Sequence, residues 1–428
     1  MKSTCLSVLC LFIIGLLPAQ EEAMLTEQDK LYGLAQFWKG VDKNFAFFDQ
    51  VPHLDWDSMY YANIPLVQAT ENDFEYVRLL QRICHELQDG HTRVYLPQYL
   101  NQKRNRPAVY TDMIEGKVFI TDVINDTIAA LGVTPKMEIL KIDGTPVKAY
   151  AEANVKPYAF SSTPQDMDVR LYSYQLLEGW TKDPVMLELK SPDGKIITRE
   201  LPRNLQRNHP QSGIMSFEVL ENGLGLLTIR RFWGDDFQTV FDSIFPLLKD
   251  TKGLIVDVRK NDGGNSDNAV YVMSHLSSKS FYTSNWSTPV YNAAYDSWGR
   301  EQEWYGEPGE LIAPDSSIVP YQQPIAMLIG ARTYSAGEDF CSYYQQAAIG
   351  PMIGSLTAGS TGNPTGINLV KDVWAQVCTK RDVFFDGTEF VGIGVKPDIA
   401  VEFTAQDYLE GNDTVLEAAV DYLQKKGR

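Results

Sequence analysis

Ser335 stands where a hydroxyl can do chemistry. It follows Pro324-Ile-Ala-Met-Leu-Ile-Gly330, a mostly apolar run that predicts a strand buried on both faces, and it precedes Ala336-Gly-Glu-Asp-Phe340, which reads as a helix opening. A hydroxyl at a strand-to-helix turn lies among unpaired backbone N–H groups, which stabilise negative charge growing on a substrate oxygen. A nucleophile and half of an oxyanion hole could come from that one turn. The plainer reading makes Ser335 a helix N-cap, with Glu338 three residues on completing a capping box.

Two further stretches carry residues of a suitable type. His91 is one of five histidines, beside His53, His85, His209 and His275, and it follows the helix-breaking Gly90 in Gln88-Asp-Gly-His91-Thr92. A lone histidine after such a glycine reads first as structural or solvated, although imidazole is the side chain that titrates nearest neutrality. His85 lies on the preceding helix and could share a metal with it in principle, but no third ligand has convincing spacing. Gly263 and Gly264, in Arg259-Lys-Asn-Asp-Gly-Gly-Asn265, turn an apolar strand at 253–258 into a helix at 268–276.

The elements that must position these residues fall into three regions. Across 24–98 the pattern is helical: Leu31, Leu34, Ala35 and Trp38 recur at helical spacing, as do Tyr76, Leu79, Leu80 and Ile83, and 93–96 leaves as a short strand. After a polar, basic linker at 101–106, the region 106–204 holds strands at 117–123, 137–142, 185–189 and 195–198, with turns at Asp143-Gly144 and Asp193-Gly194. That predicts a small, mainly antiparallel module whose open edges could accept a peptide as an added strand. Across 214–428 apolar strands alternate with helices, which predicts a sheet covered on both faces. The polar stretch 277–320 is an insertion suited to a lid, and 413–423 is an amphipathic helix. The fold class is therefore α/β and multidomain: a helical N-terminal segment, a small β module and a C-terminal α/β sheet domain that carries Ser335.

At 428 residues, with 44% hydrophobic and 22% charged, the chain has core enough for roughly two to three domains. A net charge of −17 without any basic block argues against nucleic acid or an anionic membrane as partner, because phosphate binding relies on clustered Lys and Arg. Met1-Lys2, an apolar stretch at 6–17 and Pro18-Ala19 before Gln20-Glu-Glu form a signal-peptide pattern over 1–19, too short to span a bilayer. Cleavage near Ala19 and export, to a periplasm or outside the cell, are expected. Cys5 and Cys10 lack the small residues that precede a lipidated cysteine. Cys84, Cys341 and Cys378 then remain, an odd set with no disulfide framework or zinc spacing.

Five motifs occur in a distinctive order: Leu87-Gln-Asp-Gly-His91-Thr92, Glu138-Ile-Leu-Lys-Ile-Asp-Gly-Thr-Pro146, Leu254-Ile-Val-Asp-Val-Arg259-x-Asn261-x-Gly-Gly264, Thr333-Tyr-Ser335-Ala-Gly-Glu338 and Gly392-Ile-Gly-Val-Lys-Pro-Asp398. Together they resemble the tail-specific, or carboxy-terminal processing, serine peptidases, nearer their tricorn core-like branch, over essentially the whole mature chain. The middle module resembles a PDZ domain, and the last domain the ClpP/crotonase-like type. In the Ser-Lys branch of that family the base is a lysine about 25 residues past the serine. Here Thr357-Ala-Gly-Ser360 places Ser360 at that point. The tricorn-like branch takes its base from a helix-ending histidine, which His91 matches.

The resemblance implies Ser335 as nucleophile, His91 as base and then acid, and an oxyanion hole of Ala336 N–H with that of Gly263 or Gly264. The serine that often precedes the histidine is Gly90 here, and the orienting glutamate of the last motif falls on Val391. Glu389, two residues earlier on the same strand face, is expected to hold the imidazole, with Glu338 the alternative. The expected activity is that of an exported serine endopeptidase acting on extended or C-terminal segments of a polypeptide substrate, with no metal or organic cofactor. One rival is a non-catalytic binding protein for a peptide or apolar ligand on the same scaffold, using Trp286, Trp298 and Trp304. Another is a Ser-Lys enzyme with a distant lysine.

Overall fold

The computed structural model describes residues 25–208 and 213–426. The signal-peptide expectation for 1–19 lies outside them, as does His209.

Three helices open the chain, Glu27–Asn44, Trp56–Gln68 and Asp73–His85. Each begins on a side chain that accepts an orphan N–H: Thr26 from Asp29, Asp55 from Ser58 and Asn72 from Glu75. Leu34, Phe37 and Val41 form the buried stripe of the first helix, and Tyr76, Val77, Leu80 and Ile83 that of the third. These stripes do not make a core of their own. Phe37, Val41, Tyr76 and Leu80 share one apolar cluster with Leu227, Val256, Met327 and Phe340 of the C-terminal region. Burying each such side chain stabilises the join by about 2 kcal/mol. The short strand Arg93–Val94 strengthens it by pairing antiparallel with Val373–Val377, Arg93 opposite Gln376.

The middle region is an antiparallel sheet in the order Val109–Ile114, Lys117–Val123, Glu138–Ile142, Val185–Lys190 and Ile196–Leu201. Val118, Ile120, Ile139, Leu187 and Leu189 give it a separate core. Sequence periodicity did not reveal one of its elements: Thr163 caps Pro164–Asp168, which continues into a π-helical stretch, Val169–Gln175. That stretch closes one edge of the sheet, since Thr111 Oγ1 donates to Tyr172 O at 2.5 Å and Ser173 Oγ to Asp112 Oδ1 at 2.8 Å. The expected open edge is therefore shut along Val109–Ile114, while Ile196–Leu201 keeps its outer edge unpaired among the described strands.

The C-terminal sheet runs Met215–Val219, Gly225–Ile229, Leu254–Asp257, Ile325–Ile329, Met352–Gly354 and Ile399–Ala400. Its first pair is antiparallel and the others are parallel. All five residues of Ile325–Ile329 are buried, as a strand covered on both faces requires. Ile325, Met327 and Ile329 face the main core with Phe241, Val272 and Phe340, whereas Ala326 and Leu328 face Val415, Ala419 and Leu423 of the last helix, Thr414–Lys426. The insertion is anchored: Asn285–Val290 pairs with Glu303–Glu307 on one side and with Arg381–Val383 on the other. No helix among the described residues is long and apolar enough to cross a membrane.

Candidate active site

The turn between Ile325–Ile329 and the helix Ala336–Ala347 is held from several directions. Thr333 Oγ1 donates to Val258 O at 2.8 Å, Tyr334 N to Asn261 O at 3.0 Å and Ser335 N to Ser360 O at 3.1 Å. Ser335 sits there at φ 55°, ψ −124°, a conformation an L-residue enters only at a cost of about 1–3 kcal/mol. The hydroxyl makes no capping bond to its own helix. Glu338 does not complete a capping box either; its carboxylate turns inward to a different loop. The turn thus presents Ser335 Oγ outward, and the simple N-cap reading does not describe it.

Opposite lies His91, with Nε2 3.3 Å from Ser335 Oγ. The pairing of Arg93–Val94 with Val373–Val377 brings it there, helped by Thr92 Oγ1, which accepts from Cys378 N at 3.0 Å, and by Gln376 Nε2 donating to His91 O at 2.8 Å. Nδ1 lies 2.8 Å from Ser360 Oγ and 3.1 Å from Tyr334 Oη, and the Tyr334 ring stacks on the imidazole at 4.7 Å. Donor counting allows one direction that suits a base. Tyr334 Oη gives its proton to Gly90 O at 2.5 Å, Ser360 Oγ is 3.3 Å from Tyr334 Oη, and Nδ1–H can then donate to Ser360. That tautomer leaves Nε2 bare towards Ser335.

Burial, followed by the positive charges of Arg170, Arg93 and Lys380, lowers the His91 pKa from 6.5 to about 3. The ring is neutral at physiological pH, the state a base needs. The depressed value also has a stability sign: the neutral ring costs nothing above pH 6.5, and stability is lost as pH falls from there through about 3, because only the unfolded chain takes up the proton. At pH 4 this amounts to about 3 kcal/mol as an upper bound. His91→Gln should therefore lose less stability than the wild type between pH 7 and pH 4 in urea unfolding. Equal losses would mean that the folded ring protonates as readily as the unfolded one.

Two carboxylates join this network indirectly. Glu338 is fully buried, with Oε1 accepting from Thr357 Oγ1 and Gly359 N at 2.6 Å each and Oε2 from Ser360 N at 2.7 Å. Burial pushes its pKa up to about 7, and the bonds from Thr357, Ser360 and Gly359 limit the rise. Asp89 is reached through Ser162 Oγ at 3.4 Å, a hydroxyl that also lies 3.1 Å from Ser360 Oγ and accepts from Gly90 N at 2.9 Å. Ser162 comes from the middle module, which is bonded into the site again by Thr163 Oγ1 to Ala358 O at 2.7 Å and Gln165 Nε2 to Thr357 O at 2.9 Å.

Glu389 is not where the sequence put it. It is exposed, lies beside Val383 in an isolated bridge, and has no side-chain hydrogen bond among the described residues, because the chain turns away at 384–388. The contacts of the imidazole Nδ1 are Ser360 and Tyr334 instead. Ser360 carried a signal that sequence reasoning left unused: it occupies the point where a lysine base would stand. Gly90 shows why no serine precedes His91 here, since a Cβ on it would lie 2.6 Å from Ser360 Oγ and 3.0 Å from Tyr334 Oη. Gly90→Ser should lower kcat/KM by about 10–100-fold, and Gly90→Ser with Ser360→Gly should recover most of that loss. An additive double variant would sever the link between the two positions.

The glycine turn abuts Ser335. At φ 89°, Gly263 would place a Cβ 2.7 Å from Ser335 Cβ and 3.2 Å from Ala336 N, so the backbone contact exists only without a side chain. Its N–H is already used, donating to Asn261 Oδ1 at 2.9 Å. The N–H of Gly264 has no partner among the described residues, because Phe232 bonds to Gly263 O and Asn265 N on either side of it. Ala336 N–H, at the first helical position, has none within its helix. Of the expected pairings for an oxyanion, the geometry leaves Ala336 with Gly264 available.

A chain with this fold and this site is a serine-type peptidase. Residues 223–401 match the model of Peptidase family S41. The match spans Gly263, Gly264, Ser335, Ala336 and Ser360; His91 lies outside it. The crystal structure of mature CPAF is similar over 94% of this chain and 96% of its own, with a TM-score of 0.73 and 14% identity. The photosystem II D1 C-terminal processing protease is similar over 92% and 97%, at 0.53 and 18%. A peptidase from Parabacteroides merdae is similar over 93% and 96%, at 0.56 and 19%. Identities this low establish the shared fold alone. No curated protein matches the chain in sequence.

Proposed function

We propose that the protein is an exported serine endopeptidase that works through Ser335 and His91, in the manner of the tricorn core-like branch of that family. The observation that carries the reading is the 3.3 Å separation of His91 Nε2 from Ser335 Oγ, with Nδ1 occupied on the far side by Ser360. A separation slightly beyond a good hydrogen bond is usual before substrate tightens the site.

Ser335 Oγ attacks the scissile carbonyl while His91 Nε2 takes its proton; the same imidazolium then protonates the leaving amine, and water repeats the sequence on the acyl-enzyme. Ala336 N–H and Gly264 N–H meet the tetrahedral oxyanion. Ser360 and Tyr334 hold the tautomer in the place of a carboxylate. Export rests on the N-terminal pattern over 1–19, and action on C-terminal segments of polypeptides on the motif resemblance and on the fold shared with a C-terminal processing protease. A fluorophosphonate probe should label the wild-type chain on Ser335 and leave Ser335→Ala and folded His91→Ala unlabelled. Labelling of His91→Ala at the wild-type rate would sink the base assignment.

A further inference from the structure

The sequence is basic only locally, at the linker Lys103-Arg104-Asn-Arg106, and the fold brings Arg207 to it. Where the linker at 101–106 meets the middle module lies a cavity of about 390 Å³ whose lining includes Arg104, Arg106 and Arg207, with Asn105, Tyr174 and Glu178. Arg104 and Glu178 also line a smaller adjoining cavity with Arg78 and Arg93. In a chain with 55 acidic residues against 38 basic ones, this concentration of guanidinium groups runs against the overall charge.

The arginines are positioned, not loosely draped. Arg104 lies against the packed pair Trp180 and Phe74, 5.4 Å and 4.9 Å from their ring centres. Arg106 and Arg207 both lie over the Tyr110 ring, at 5.4 Å and 5.1 Å. Arg207 is held in place by its chain neighbours, with Asn125 Nδ2 donating to Gln206 O at 2.9 Å and Asn208 N to Ile124 O at 3.0 Å. Arg106 gives Nη1 to Ser173 O at 2.8 Å, which ties the cavity to the π-helical stretch whose Arg170 lies over Tyr334.

What Arg104 and Arg207 lack is an acceptor for their buried nitrogens. Arg104 Nε and Arg207 Nε and Nη2 are buried with no hydrogen-bond partner among the described residues. Glu178 forms no salt bridge with any of the arginines among the described residues. Burial is the first cause lowering the pKa of Arg104, Arg106 and Arg207, with a neighbouring arginine adding to it for the first two, and burial raises that of Glu178. Buried guanidinium donors without acceptors are costly unless something supplies the acceptor oxygens.

We propose that this cavity is a binding site for an oxyanion, a carboxylate or a phosphate, gripped by Arg104, Arg106 and Arg207. Planar guanidinium forks match such groups in bidentate fashion, and stacking on aromatic rings fixes the forks beforehand. The site is separate from Ser335 and His91, and its occupancy is read without turnover, so the proposal stands apart from the assignment of the catalytic residues.

Isothermal titration of the full chain with inorganic phosphate, at ionic strength held constant with sodium chloride, tests it. Saturable binding is expected, weakened about tenfold or more in Arg104→Gln and in Arg207→Gln. Glu178→Gln should tighten it, a gain that misfolding cannot produce. A pair of peptides, one with a free C-terminal carboxylate and one amidated, identifies the source. Competition with phosphate by the free acid alone assigns the site to a chain terminus, and phosphate binding that neither peptide displaces assigns it to a free anion. Binding unchanged in both arginine variants, or heat reproduced by chloride, overturns the proposal.

Discussion

Ser335→Ala is expected to lower kcat/KM on a peptide substrate by about 10⁶-fold, and His91→Ala by a similar factor. The double variant should be no worse than either single one, because hydroxyl and imidazole act as one unit: without the base the hydroxyl is protonated, and without the hydroxyl the base has nothing to activate. Both losses should appear in kcat with little change in KM, since neither group is needed to hold the substrate. Stability at pH 7 should hardly move for Ser335→Ala, whose Oγ makes no capping bond. Steady-state kinetics with a quenched fluorogenic peptide, together with urea unfolding, separate these effects. Either single variant retaining more than roughly a hundredth of the activity would falsify the Ser335–His91 pairing.

Glu338→Ala should be the most destabilising single substitution in the site, at about 3–5 kcal/mol. Its two oxygens accept from Thr357 Oγ1, Gly359 N and Ser360 N, all inside a fully buried pocket. Truncation removes every acceptor at once and leaves the donors with no water to turn to. The activity loss should exceed what the folded fraction explains, because Ser360 loses the anchor of its backbone and with it the aim of Oγ at His91. Chemical denaturation paired with kcat/KM measured well below the transition reads both. Stability within about 1 kcal/mol of wild type would show that other contacts fix the loop.

Much of this was legible in the sequence for a simple reason: local pattern carries local structure. The five buried residues of Ile325–Ile329 are continuous and apolar, and a helix does end shortly before His91, although at His85 and not at Gly90. Gly263 and Gly264 announce a turn that needs close backbone approach. What was not legible lay in pairings between distant positions. Nothing near Ser360 says that its hydroxyl meets an imidazole 269 residues earlier, and nothing near Ser162 says that a residue of the middle module reaches the same point. Glu389 was chosen by strand parity from a motif, but parity fixes a face and not a destination; the turn at 384–388 took it to solvent. The stretch 163–175 did carry a start signal, Thr163-Pro164 with Asp166, and its π-helical continuation hid the usual period.

The pairing of Arg93–Val94 with Val373–Val377 also has a bearing on biosynthesis. A chain still on the ribosome holds its imidazole long before the strand that must receive it has been made. Closing a loop of that size is slow, and contacts so far apart in sequence form late in folding. The imidazole and the hydroxyl can thus meet only after the chain has been made as far as Val377.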